Sequence, residues 1–231
     1  MSRRPDERWA DFAERIANAF GLVLLLVVAT YVLGSLTAFH AWTAVLTTLV
    51  AGAAAVVALA GARVRTKVVQ GSALLAIAAV VLAIVSAIAD SAHPLGASSF
   101  IVALLLLFAA AAILRAVIGE TQVGFRTILG AISVYTILGL LFTFLYAAID
   151  RWQAGPFFGS AGPVNGGDFV FFSFTTLTTT GYGNLVPAGQ PGKMFAGLEM
   201  LMGQIFLVTL VAGLVSLWRP GGSLRRSSTD R

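Results

Sequence analysis

Between Ile16 and Ala62 the chain carries no lysine, arginine, aspartate or glutamate. No soluble helix or strand pair of that length survives without charge on its wet face. A bilayer-spanning helix needs only ~20 consecutive apolar residues. The run therefore reads as two spans, Ala19–Phe39 and Trp42–Ala62, joined by a tight turn around Ser35–Trp42. The rest of the chain repeats the pattern. Val68–Ala89 is a third uncharged stretch, Ser99–Leu114 a fourth, Thr127–Ile149 a fifth, and Met194–Trp218 a sixth broken only by Glu199. Hydrophobic residues make up 58% of the chain and charged ones 11%, against about 25% charged in an average soluble domain. The expected fold is an all-α membrane protein of six transmembrane helices.

Arg3 and Arg4 precede the first apolar run, but that run is far longer than a signal-peptide core and no small-residue cleavage site follows a short one. A retained span is expected. Without cysteine the chain has no disulfide or thiolate chemistry, and two scattered histidines, His40 and His93, build no metal site. Both histidines are expected in outer loops.

The ends of the six segments divide the charge unevenly. One side takes Arg3, Arg4, Arg8 and Arg15, then Arg63, Arg65 and Lys67, then Arg115 and Arg126, and finally Arg219, Arg225, Arg226 and Arg231. The other takes only Arg151 and Lys193, so thirteen of the fifteen basic residues share a face. By the positive-inside rule both termini are expected in the cytoplasm of a multi-pass protein of the cell (plasma or inner) membrane. Residues 1–18 have the pattern of an interfacial amphipathic helix, with Trp9, Phe12, Ile16 and Phe20 on one face; a cytoplasmic extension of the first span fits as well. Residues 219–231 lack apolar periodicity and read as a disordered cytoplasmic tail. Residues 19–118 form a four-helix membrane unit, and residues 119–218 a second unit with an outer helix at 126–149 and an inner helix at 193–218. The fourth span holds one arginine, Arg115 at its end, whereas a voltage sensor needs several charges within the membrane.

Between the last two spans lies a segment that does not cross. Asp168–Thr178, "DFVFFSFTTLT", is aromatic and apolar but too short to span, and Asp168 or Asn165 can cap its start. It suits a re-entrant helix whose C-terminal end, partly negative, faces a cation at membrane depth. "TTGYG" follows at 179–183. A row of carbonyls facing one axis requires backbone that alternates in hand, and glycine supplies left-handed members without a Cβ clash. Irregular backbone at that depth is tolerated only where protein or water covers it.

The stretch "TLTTTGYGNLVP" resembles the signature loop of potassium channels, whose usual form is T-x-x-T-V-G-Y-G-D. The similarity runs on through "AGQPGKMFAGLEMLMGQIFLVTL". The wider pattern resembles the bacterial six-span potassium channels without a voltage sensor, members of the tetrameric pore-loop superfamily; Thr127–Trp218 carries the likeness. The resemblance implies a passive potassium-selective channel and not an enzyme, with no organic cofactor and no nucleic-acid partner. Four copies in the lipid bilayer would each supply one filter strand. Thr179, Thr180, Gly181, Tyr182 and Gly183 would form the filter, with potassium as the permeant ligand held at Thr179, Thr180, Gly181 and Tyr182. A non-selective monovalent cation channel of the same architecture is the alternative, and a secondary cation transporter a more distant one.

Around the filter, the resemblance implies support from Thr175, Asn184, Phe171, Phe172 and Glu199, and a cavity or gate at Gly203, Gln204, Leu207 and Val211. Three supports depart from the pattern. Thr180 replaces valine, either hydrogen-bonding Thr175 or standing as an isosteric swap. Asn184 replaces aspartate, and Phe171 and Phe172 stand where related channels have tryptophan. Glu199, the only acid well inside a span, reads as a buried brace or a protonatable gate. Gly203 reads as a hinge or a close-packing point, and Gln204 as a cavity amide or a helix–helix hydrogen bond.

Overall fold

The computed structural model describes residues 5–36, 41–89, 91–118, 125–159 and 164–217. The 219–231 tail, His40, and the side chains of residues 5–19, Arg126 and Val211 lie outside the described residues. Among the described residues, seven helices follow one another: α1 (Pro5–Leu36), α2 (Ala41–Gly61), α3 (Thr66–Ala89), α4 (Ala92–Ile118), α5 (Phe125–Trp152), α6 (Gly166–Leu177) and α7 (Gln190–Leu217). Among the described residues, α2, α3, α4, α5 and α7 are long and apolar enough to cross a membrane, and α1 contributes a shorter apolar stretch, Phe20–Leu36. The protein is an all-helical membrane protein.

Two of these helices, α2 and α3, bury small residues and turn large ones outward, the reverse of a water-soluble bundle. α3 buries Ser72, Ala79, Ala83 and Ser86 while exposing Leu74, Leu75, Ile77, Val81, Val85 and Ile88. α2 buries Ala51, Ala54, Ala55 and Ala58. Lipid solvates large side chains as well as a protein core does, so association rests on small residues that bring backbones close. At Gly52 an added Cβ would lie 3.1 Å from Ala76 Cβ. The hydroxyls in such helices must be satisfied locally. Thr30, Thr47, Ser133 and Thr143 each donate to the carbonyl four residues back, on Leu26, Thr43, Leu129 and Gly139.

Several boundaries differ from the sequence reading. The N-terminal segment and the first span form one continuous helix, α1, and not an interfacial helix followed by a span. His93 sits exposed in the first turn of α4, beside Pro94, and not in a loop; proline fits there because a first-turn N–H has no helical partner to lose. α5 runs to Trp152, three residues beyond the expected 149. α6 begins at Gly166, and α7 at Gln190.

The short helix α6 is held from three sides. On α5, Gly139 leaves room for the ring of Phe174, whose Cζ would lie 2.7 Å from an added Cβ. α1 reaches it as well: Tyr31 stacks edge-on to Phe174 at 4.8 Å, and a Cβ on Gly34 would meet Val170 at 2.9 Å. From a third direction, the chain after α5 turns back and buries Phe157 and Phe158 almost completely. They join Tyr146, Phe169 and Phe172 in one aromatic cluster, with the Phe157–Phe158 and Phe158–Phe172 centroids 4.9 and 5.2 Å apart. A two-bond bridge then ties this loop to the residues after α6: Gly159 N–H donates to Val186 O, and Ala188 N–H to Phe157 O.

Removing Phe157 opens a cavity in that cluster. Phe157→Ala is expected to cost about 3–5 kcal/mol, read as a lowered unfolding midpoint in detergent. Phe108→Ala, on the outward face of α4, should leave the midpoint almost unchanged.

Candidate functional site

The site begins with the N-terminus of α6. Asn165 is its N-cap: its side chain accepts from Gly167 N–H and Asp168 N–H, and Asp168 returns a bond to Asn165 N–H at 2.8 Å. This reciprocal capping box satisfies donors that a buried helix start would leave orphaned. The two capping candidates thus act together, with Asn165 as the cap.

At the other end the helix stops at Leu177 and the chain unwinds. Thr175 O accepts two N–H groups from the following segment, Thr180 at 2.8 Å and Gly181 at 3.2 Å. Thr176 O accepts Thr179 N–H at 2.9 Å, and Phe174 O accepts Thr178 N–H. The last carbonyls of α6 are therefore spent anchoring the loop's amides. Leu177 O receives a long bond of 3.4 Å from the Tyr135 hydroxyl.

The loop then alternates in hand. Thr179, Gly181 and Gly183 have φ of 55°, 54° and 80°, whereas Thr180 and Tyr182 between them stay out of the left-handed region. For the two glycines this is unstrained. For a β-branched threonine it is a costly conformation, held only when the surroundings over-determine it. Thr179 is over-determined: its N–H is bound to Thr176 O, and its hydroxyl accepts from the Gln204 side-chain amide at 2.9 Å. The amide N–H groups of Thr179, Thr180 and Gly181 point back into the helix end. Among the described residues, the carbonyls of Thr179–Gly183 accept no hydrogen bond, and all five residues are exposed on the single chain.

The flanking side chains divide between two environments. Tyr182 lies nearly parallel to Phe171, ring centroids 5.5 Å apart and planes 18° from parallel. Phe172 faces the other way, buried against Tyr146 and Phe158. The Thr180 hydroxyl meets Thr178 Oγ1 at 2.9 Å, not the Thr175 hydroxyl, which donates to Phe172 O; Thr175 holds Thr180 through its carbonyl instead. Asn184 is exposed and engages none of these groups.

On α7, Glu199 is fully buried. Its two oxygens meet Tyr146 OH at 2.6 Å and Ser173 Oγ at 2.5 Å, joining α7 to α5 and to α6. One turn below, Gly203 packs directly on the end of α6, where an added Cβ would stand 2.2 Å from Leu177 O. That is a close-packing glycine. Gln204, next along, bonds the Thr179 hydroxyl, so its amide acts on the loop itself. Leu207 is half-buried on the same helix. Tyr146, Ser173, Tyr135, Phe157 and Phe158 were not singled out from the sequence. Ser173 carried a usable signal, a lone small hydroxyl among the phenylalanines of α6, facing the question of what partners Glu199.

Comparison with known proteins agrees with this geometry. Residues 130–219 match the family described as "Ion channel". A curated relative, "Two pore potassium channel c" of Oryza sativa subsp. japonica, is 37% identical over 83 residues. That alignment covers 36% of this chain and 17% of the rice protein, so the likeness spans under a fifth of the relative's length. No solved structure matches. The residues that match the family, 130–219, hold most of α5, all of α6, the alternating loop and α7.

Gly203→Ala forces a methyl into a backbone carbonyl. It should destabilise the α6–α7 contact by about 1–3 kcal/mol and lower the unfolding midpoint. Gly71→Ala on α3, where nothing lies within 4 Å, should hold or raise it.

Proposed function

We propose that the protein is a passive, potassium-selective channel in which four copies surround one conduction path. The observation that carries this reading is the loop of alternating hand, Thr179–Gly183, whose carbonyls are left without protein partners while its N–H groups are anchored behind. Stacked rings of such carbonyls replace the hydration shell of a potassium ion. One chain offers one side of each ring, so the site is complete only with further copies. Ions would be held between the carbonyls of Thr179, Thr180, Gly181 and Tyr182, with the Thr179 hydroxyl adding oxygens at the inner end.

Other features support the same reading. Met194, Leu198, Leu201, Ile205 and Val208 form an exposed apolar stripe along α7, a face suited to cover by another copy. The matched relative is named as a potassium channel. Arg115, exposed in the last turn of α4, is the single arginine or lysine of that helix, which argues against gating through a charged voltage-sensing helix. The basic bias supports an orientation with both termini in the cytoplasm and the filter's outer mouth, with Asn184, outside. Among the described residues, Tyr182 meets Phe171 as a ring stack at that mouth, with no hydrogen bond to its hydroxyl.

Purified protein in liposomes or planar bilayers should pass current whose reversal potential follows the potassium gradient. A reversal potential equally sensitive to sodium would remove the selectivity claim, and the absence of flux would remove the channel. Asn184→Asp should lengthen openings in single-channel records; unchanged dwell times would show that the outer mouth needs no added bracing.

A further inference from the structure

The contacts around Glu199 contain more acceptors than two hydroxyl protons can serve. Tyr146 OH stands 2.6 Å from Glu199 Oε2. Ser173 Oγ stands 2.5 Å from Glu199 Oε1 and 2.6 Å from the carbonyl oxygen of Gly139. Each of these three oxygen pairs is close enough to require a proton between its members. Tyrosine and serine hydroxyls bring one proton each, and a backbone carbonyl brings none. Were Glu199 a carboxylate, two protons would serve three contacts. Ser173 would then face one bare acceptor, either Oε1 or Gly139 O, at a distance where two lone pairs repel.

We infer that Glu199 is a neutral carboxylic acid whose proton, on Oε1, is donated to Ser173. The relay then runs in one direction: Tyr146 O–H to Glu199 Oε2, Glu199 O–H to Ser173 Oγ, Ser173 O–H to Gly139 O. A proton on Oε2 would not serve, because it leaves the Ser173 conflict in place. The surroundings agree with a neutral acid. Glu199 is 0% exposed, and the groups that meet it are the hydroxyls of Tyr146 from α5 and Ser173 from α6, neither a cation. An unpaired charge buried at membrane depth is expensive.

The relay crosses three helices at the back of α6. Its place behind the filter rests on the channel reading above, but the proton count does not. Glu199 acts as a positioning residue that must donate on one side and accept on the other. A glutamine does both, with its NH₂ toward Ser173 and its carbonyl toward Tyr146. An ionised brace, accepting on both sides, could not be copied by an amide.

Infrared spectra of the purified protein at neutral pH, where exposed carboxylates are ionised, should contain a protonated-acid carbonyl band. That band should shift in D₂O, move in Tyr146→Phe and disappear in Glu199→Gln. Glu199→Gln should keep its unfolding midpoint within ~2 °C of the parent and its potassium flux within about threefold, whereas Glu199→Ala, leaving two buried hydroxyls unpartnered, should lose about tenfold or more in flux. Absence of the band, or a Glu199→Gln protein as damaged as Glu199→Ala, overturns the assignment. The band reads the proton whether or not ions pass: flux without the band refutes this inference alone, and the band without flux refutes the channel reading alone.

Discussion

A loop that leaves a row of carbonyls without protein partners must be fixed through its other groups if those carbonyls are to stay in register. In this protein that burden falls on the junction between α6 and the loop after it. The N–H groups of Thr179, Thr180 and Gly181 are drawn onto the carbonyls of Thr175 and Thr176, which turns the remaining carbonyls of the loop to the open side. The left-handed φ of Thr179 is the local cost of this arrangement. A glycine there would relax the backbone but would remove the hydroxyl that Gln204 grips.

Much of the remaining structure can be understood as keeping that junction in place. α6 is short and mostly apolar, and alone it would have nothing to hold its depth. Its start is closed by the Asn165–Asp168 capping box. Its back is joined through Ser173 to Glu199 and Gly139, and its end rests on Gly203. The loop between α5 and α6 adds a cluster of aromatic rings and a two-bond bridge to Val186 and Ala188. Supports thus arrive from α1, α5, α7 and the loop between α5 and α6. Polar contacts set position where direction matters, and small residues permit close approach where it does not.

The altered positions around the loop take on different meanings in this frame. Thr180 differs from the usual pattern by a hydroxyl, and that hydroxyl pairs with Thr178 within the same turn, so no unsatisfied polar group is created. Phe171 keeps the aromatic contact to Tyr182 as a stack, while Phe172 belongs to the hydrophobic anchoring of α6 and does not touch the loop. The Tyr182 end of the loop is therefore held by packing, and the Thr179 end by hydrogen bonds.

The sequence by itself determined the membrane class, the order of the helical segments, the short helix and the irregular Thr179–Gly183 loop, though α1 and α4 start well before the charge-free spans expected there. Each follows from local chemistry: runs without charge, a helix too short to span, and glycines where left-handed backbone is needed. Charge-free length is legible in one dimension because the bilayer is a solvent of fixed thickness. What only the tertiary structure decided is who touches whom. Nothing in the spacing of Glu199 identifies Tyr146 and Ser173, which lie 53 and 26 residues away in the chain. No local pattern sends Gln204 to Thr179, or separates Phe171 from its neighbour Phe172. Gly203 allowed two readings until Leu177 O was found against it. Those choices depend on how three helices and a loop meet in space, and a helix in lipid carries no amphipathic stripe to announce which of its faces will be met.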